Sequence, residues 1–312
     1  MESFSIAVNA VMPFLIYIIM GYGIRRIGMV DEAFMNKLNQ LVFKVFFPIL
    51  MFNNLYQTER GFSLNLQLVL CGVGSLGILI LILFLAVPRI VQGNPQRGVL
   101  IQAIYRSNFV LFAIPLTISL FGEEQAAAVS MMVAIVVPIY NIVAVAVLEY
   151  FRGGKVKASR LIQNICKNPL IVGAIIGGIF FAFQIKIPAC VEKPLSQLST
   201  ATTPLALLVL GSTLHFDSVK KNARYLVPAL GIKMILLPAI ALVISKIAGL
   251  SDVETFIMFA MYATPIAASS YPMAQNMGGD GTLAGEFVVV STALSVFTMF
   301  LWIFAMKGLG II

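Results

Sequence analysis

Charge is the scarcest property of this sequence: Asp, Glu, Lys and Arg make up 11% of its 312 residues, against 60% hydrophobic residues. A soluble domain averages about 25% charged residues, so this chain lacks the polar surface that would keep it dissolved. Histidine occurs once, as His215 at an expected helix end, which gives it no metal-ligating company. The cysteines are Cys71, Cys166 and Cys190, scattered and odd in number, and they suggest neither a disulfide framework nor a metal site. Strand-like alternation is missing too, which excludes a membrane barrel. No glycine-rich strand–loop–helix motif signals a nucleotide, and no nucleophile–base pair signals an enzyme. The net charge of +8 comes without a dense basic run, which argues against nucleic acid.

What is present is apolar length. Mean hydropathy is +0.97, and runs near the roughly 20 residues needed to cross a bilayer recur along the chain. In hydrocarbon every backbone polar group needs an internal partner, so these runs predict helices. Ten spans are expected, at 4–24, 34–55, 64–88, 97–121, 124–151, 169–185, 195–216, 225–247, 252–276 and 281–306. The first lacks a basic leader and a small-residue cleavage site and reads as a retained helix. Alternate loops hold thirteen Lys and Arg residues, among them Arg25, Arg97, Lys155, Lys157, Arg160 and Lys220, against five in the others, Arg60 among them. The positive-inside rule then places both termini outside the cytoplasm.

The polar stretch "FRGGKVKASRLIQNICKNP" divides the chain into 1–151, a cytoplasmic linker 152–168, and 169–312. The two halves are related. Pro13, Gly21 and Pro48 meet Pro169, Gly177 and Pro204 at an offset of 156. At an offset of 157, Tyr105, Pro115, Gly122 and Glu123 meet Tyr262, Pro272, Gly279 and Asp280. Five spans per half make the repeats inverted, and proline-interrupted helices at matching positions point to a carrier's binding site. Spans 4 and 9 carry them, so breaks are expected at Pro115 and Pro272. Each would leave a carbonyl unpaired and aim a positive half-helix end into the protein. Asn108 and Pro265 both stand seven residues before those prolines, and Thr264, Ser269, Ser270, Gln275 and Asn276 make the second crossing polar.

Charges inside spans need a reason. Lys44 and Lys233 either snorkel to an interface, the reading placed first, or have a functional role, and Glu149 is read as pairing with the basic linker. Arg106 either binds a carboxylate or faces the cytoplasmic headgroups, and Glu286 is either a proton site or an interfacial anion. Asn141, three residues after Pro138, is either interhelical glue or a ligand contact.

"SNFVLFAIPLTISLFG" resembles the fourth helix of the auxin efflux carrier family. "LNQLVFKVFFPILMFNNL", "NPLIVGAIIGGI" and "TTPLALLVLGSTL" resemble its second, sixth and seventh helices, and "ATPIAASSYPMAQ" with "VVVSTALSV" its ninth and tenth. The long loop of the plant members is missing, so the chain is similar to the compact bacterial members, described as malonate or other organic-acid carriers. Lys44 and Arg106 depart from the plant pattern.

The resemblance implies an all-α integral membrane protein of ten transmembrane helices, two inverted five-helix repeats with broken helices 4 and 9. This is the fold shared with bile-acid symporters and sodium–proton exchangers. It implies a homodimer through helices 1, 2, 6 and 7, and a transport domain of helices 3–5 and 8–10. Asn108 is then the leading substrate ligand, with Pro115 and Pro272 at the crossing, and Arg106, Asn141, Ser270 and Gln275 as further candidates. The expected function is a plasma-membrane carrier for a small organic anion working by elevator-like alternating access, with no cofactor and no metal. Sodium-coupled symport, with Gln275, Asn276 and crossing carbonyls holding the cation, and a non-transporting sensor or channel are the alternatives.

Overall fold

The computed structural model describes residues 2–58, 65–153, 158–214 and 216–311. His215, Arg60, Lys155, Lys157 and the side chain of Arg160 lie outside the described residues. Among those described, the chain is helical throughout and contains no strand. Its helices are α1 (Glu2–Arg26), α2 (Glu32–Leu41), α3 (Phe47–Tyr56), α4 (Leu66–Ile90), α5 (Asn94–Tyr105), α6 (Phe109–Phe121), α7 (Ala126–Phe151) and α8 (Ala158–Lys167). Then follow α9 (Pro169–Ala182), α10 (Ala189–Ser212), α11 (Phe216–Gly231), α12 (Leu237–Ile247), α13 (Asp252–Ala263), α14 (Ser270–Asn276) and α15 (Gly281–Gly308). Polar side chains start several of them. Asn65 Oδ1 accepts from Gln67 N at 2.9 Å, and Asp280 Oδ1 from Leu283 N at 2.9 Å.

Seven helical stretches are long and apolar enough to cross a membrane: Ser5–Arg26, Glu32–Tyr56, Leu66–Ile90, Asn94–Phe121, Glu123–Phe151, Ser218–Ile247 and Gly281–Gly308. The chain is a multi-pass membrane protein. Three expected spans do not reach that standard among the described residues. The span expected over 169–185 is a helix of 14 residues. That over 195–216 lies in α10, whose first half carries Glu192, Lys193, Ser196 and Gln197. That over 252–276 is split into α13, of 12 residues, and α14, of 7.

Two crossing stretches contain a π-helical turn, Val42–Phe46 joining α2 to α3 and Ile232–Leu236 joining α11 to α12. Each precedes a proline, Pro48 or Pro238, that cannot donate to the turn before it. Met234 O, which Pro238 would leave without its α-helical donor, accepts from Trp302 Nε1 at 2.9 Å.

Helices α5 and α13 form the centre. Every residue from Gly98 to Tyr105 and from Thr255 to Ala263 is buried, the polar Gln102 and Thr255 included. Around them pack α4, α6, α7, α12, α14 and α15. Along α1 and α4, by contrast, Ile19, Leu70, Ile78 and Leu81 are exposed, forming the surface offered to lipid.

A separate seam joins α1 to α10 and α3 to α9. A Cβ on Gly21 would fall 1.9 Å from Leu208 O, and one on Gly177 would fall 2.5 Å from Phe52 O. Backbones touch at both places, as small residues allow between membrane helices. The two contacts are the same contact twice, because Gly21 with Gly177 and Phe52 with Leu208 are each separated by 156 residues.

Because the obstructing atom is backbone, Gly21→Ala and Gly177→Ala are each expected to cost roughly 1–3 kcal/mol through overpacking. Gly74→Ala, where nothing lies within 4 Å, is expected to leave the melting temperature in detergent unchanged. Equal melting temperatures for all three variants would contradict the close-packed seam.

Candidate functional site

The two helix interruptions are not where proline was expected to put them. The chain leaves helix over 106–108, between α5 and α6, and again over 264–269, between α13 and α14. Pro115 lies inside α6 without breaking it. Pro272 is the third residue of α14, a position whose N–H has no intrahelical partner anyway, so proline loses nothing there.

The crossing is made seven residues earlier. Asn108 N donates to Pro265 O at 2.7 Å. Ile266 N donates to Ser291 Oγ at 3.1 Å. Met261 O receives two hydroxyls, Ser107 Oγ at 2.6 Å and Tyr140 OH at 2.8 Å. Backbone groups freed by the breaks are thus met by protein groups, the condition for irregular backbone at membrane depth.

Arg106 is the first non-helical residue and is 2% exposed. Its Nη2 donates to Asn141 Oδ1 and to Ser269 Oγ, both at 2.6 Å, and its Nη1 approaches Met273 Sδ at 2.8 Å. Asn141 is held in turn, its Nδ2 donating to Val137 O at 2.8 Å. No carboxylate pairs with this guanidinium among the described residues. The headgroup reading of Arg106 is therefore replaced: its charge is enclosed, partnered only by neutral groups. Burying a cation so is costly, and a site that tolerates the cost suits an anionic visitor.

A cavity of about 90 Å³ opens beside it. Arg106, Asn108, Asn141 and Ser269 supply its polar wall, and Leu50, Met51, Phe109 and Thr203 lie opposite or beside them. Asn108 also starts α6, so the positive end of that helix faces the same space.

Three of the sequence candidates, Arg106, Asn108 and Asn141, thus share one cavity, and four do not line it. Pro115 borders a larger hollow of about 530 Å³ between α1 and α6. Pro272 is buried in α14. Ser270 contributes its carbonyl, which accepts from Gln102 Nε2 at 3.2 Å, while its hydroxyl is buried with no partner among the described residues. Gln275 lines a second polar cavity with Arg25, Glu32 and Glu286. Glu286, near the start of α15, is 1% exposed and so enclosed by protein. Glu149 does meet the basic side, at 3.5 Å from Arg152 Nη1.

Lys233 is the largest correction. It is 0% exposed and donates its Nζ hydrogen bond to Ser107 Oγ, in the first break. Snorkelling is ruled out by position, since Lys233 lies 15 residues from Ser218 and 14 from Ile247. That is roughly 21 Å of helix in either direction, beyond a lysine's reach; Lys44 is as central in Glu32–Tyr56, so position within a span does not tell the two lysines apart. Lys44, by contrast, is exposed. Ser269 is the other participant that sequence reasoning left among several polar neighbours. Among the described residues, no three of His, Cys, Asp and Glu gather as a metal site would require.

Lys233→Met removes an unmatched buried charge at similar volume, so melting temperature in detergent is expected to hold or rise. A fall of many degrees would mean that the ammonium stabilises the crossing.

The chain matches the family described as membrane transport protein over residues 6–303. It is 25% identical to an uncharacterized transporter of Methanocaldococcus jannaschii over 309 residues, covering 95% of this chain and 98% of that one. It is 23% identical to an uncharacterized transporter of Methanothermobacter thermautotrophicus over 298 residues, covering 94% and 96%.

Proposed function

The chain belongs to the membrane transport protein family, that of the auxin efflux carriers, and is a transporter rather than an enzyme; from that premise we propose that it carries a small organic anion as a secondary active transporter. One observation carries this reading: the Arg106 guanidinium, buried in a helix break with no acid beside it among the described residues and a cavity in front of it. A guanidinium offers two parallel N–H groups to a carboxylate. An arriving carboxylate takes the place of the neutral acceptors Asn141 and Ser269, with Asn108 and the start of α6 adding donors. The compensation that the fold withholds from Arg106 is then supplied by cargo.

The proposed movement is elevator-like. The α5–α13 centre, with α4, α6, α7, α11, α12, α14 and α15, shifts along α1, α2–α3, α9 and α10. Two cavities support it, both lying between these groups. The Arg106 cavity reaches Asn54 at the end of α3, and the second reaches Asn36 in α2. Those asparagines are 18 residues apart along one span, roughly 27 Å, so the cavities lie toward opposite membrane faces. The duplicated Gly21 and Gly177 contacts and the Asn108–Pro265 bond, at offsets of 156 and 157, support two inverted repeats over 1–151 and 169–312. Ten crossings, a homodimer through α1, α2–α3, α9 and α10, a plasma-membrane location and external termini complete the proposal.

A sodium-coupled symporter remains the second reading, but the crossing itself is a poor place for its ion. Carriers with broken helices hold cations at unwound carbonyls and C-terminal half-helix ends. Here the Lys233 ammonium already sits at Ser107, next to the end of α5.

In proteoliposomes containing the purified protein, labelled malonate, lactate and indole-3-acetate are the test substrates. At least one is expected to show saturable uptake and counterflow. A charge-assisted hydrogen bond contributes about 1.5–3 kcal/mol, so Arg106→Gln is expected to lower that uptake by roughly 10- to 100-fold, and Asn108→Ala by less. Failure of all three substrates, or unchanged transport in Arg106→Gln, would overturn the assignment.

A further inference from the structure

The second polar cavity has a chemistry of its own. It measures about 90 Å³ and lies where α14 and α15 meet the ends of α1, α2 and α10. Glu286, in the second turn of α15, is 1% exposed. Its Oε2 accepts from Asn222 Nδ2 at 2.7 Å, while its Oε1 is buried with no partner among the described residues. An ionised carboxylate only accepts, and an unmatched buried oxygen is costly.

The nearby guanidinium does not supply the match. Arg25 also lines the cavity, but its Nη1 donates to Ser212 O at 2.6 Å and its Nη2 lies 3.6 Å from Glu32 Oε2. With Arg25 and Glu32 cancelling, the lining keeps one negative charge, that of Glu286. Neutral oxygens of Gln275, Thr282 and Tyr271 share the wall. Gln275 Oε1 lies over Gly281, 1.7 Å from where a Cβ on that glycine would stand.

We propose that this cavity is a binding site for one small monovalent cation of the sodium class, anchored by Glu286. One carboxylate among neutral oxygens matches a singly charged hard ion. A divalent ion is disfavoured, since no three of His, Cys, Asp and Glu converge among the described residues. The volume holds an ion together with water.

The position gives the ion something to do. Helix α14 is 7 residues long, with Ser269 at its start and Gln275 near its end. Ser269 Oγ accepts from Arg106 at one end, and Gln275 faces Glu286's cavity at the other. An ion that fixes Gln275 therefore fixes α14 and, through it, the Ser269 contact with Arg106. The cation site stands by itself; its coupling to cargo rests on the organic-anion reading above.

The test uses the full-length protein in detergent, with choline chloride replaced stepwise by sodium chloride at constant ionic strength, so its outcome does not depend on any transported substrate. Sodium is expected to raise the wild-type melting temperature by several degrees and saturably, as preferential binding to the folded state requires. Glu286→Gln keeps the shape, is expected to melt no lower than wild type in choline, and loses the sodium response. Should that variant fail to fold, Gln275→Leu and Thr282→Val serve, each expected to weaken the response. No sodium-specific rise in wild type, or an undiminished rise in Glu286→Gln, overturns the site. A rise on acidification in place of sodium, lost in Glu286→Gln, overturns the sodium assignment in favour of a proton. Any of these failures leaves the organic-anion reading to be decided by its own uptake assay.

Discussion

A bilayer interior offers peptide groups no water, and the centre of this protein is arranged around that shortage. Two helices stop midway, and each stop frees backbone groups that the lipid cannot serve. The structure meets the debt with the Asn108–Pro265 bond and with hydroxyls from Ser107, Tyr140 and Ser291. Everything functional follows from the exception this permits. Once the backbone turns aside at 106–108, a charged side chain can leave from the middle of the protein instead of from its edge.

Much of this was legible in the sequence, and the failures have physical causes. Repeat offsets read from proline and glycine lead to the Gly21 and Gly177 contacts, because close backbone approach permits nothing larger and so leaves a mark in composition. Membrane character followed from scarce charge and long apolar runs, and helical class from the backbone's need for internal partners in lipid. Proline misled about the location of the breaks. Inside α6 it is absorbed, and in the first turn of α14 it costs nothing, so the interruptions fall elsewhere: at Arg106–Asn108, three polar residues in a row, and at Thr264–Ser269, which holds a different proline, Pro265. The Asn108–Pro265 correspondence was visible as a spacing, but a backbone N–H has no letter of its own and cannot be read as a bond.

The ionisable residues show the same limit more sharply. Composition says that a membrane charge needs a partner; it does not say which way the side chain leaves the helix. Lys44 and Lys233 look alike in sequence, yet one is exposed and the other sealed against Ser107. Their difference comes from helix phase and neighbours, which only the packed structure fixes. Arg106, Lys233 and Glu286 consequently form a set: three buried charges, none joined to an opposite one among the described residues. A protein built only for stability would have paired or removed them.

The long helix α15 is fastened to the stretch α11–α12 at two levels. Near its start Glu286 holds Asn222, and near its end Trp302 holds the carbonyl of Met234 that Pro238 leaves open. The fastenings are 16 residues apart on α15, roughly 24 Å, which is most of a bilayer's depth. The two bonds meet α11–α12 at Asn222 and at the π-helical turn, 12 residues apart, so α15 and the first half of that stretch are tied together along their length. Lys233 is the neighbour of Met234 in that turn, so the same pair of tied helices carries the two buried charges, one toward each end of the tie.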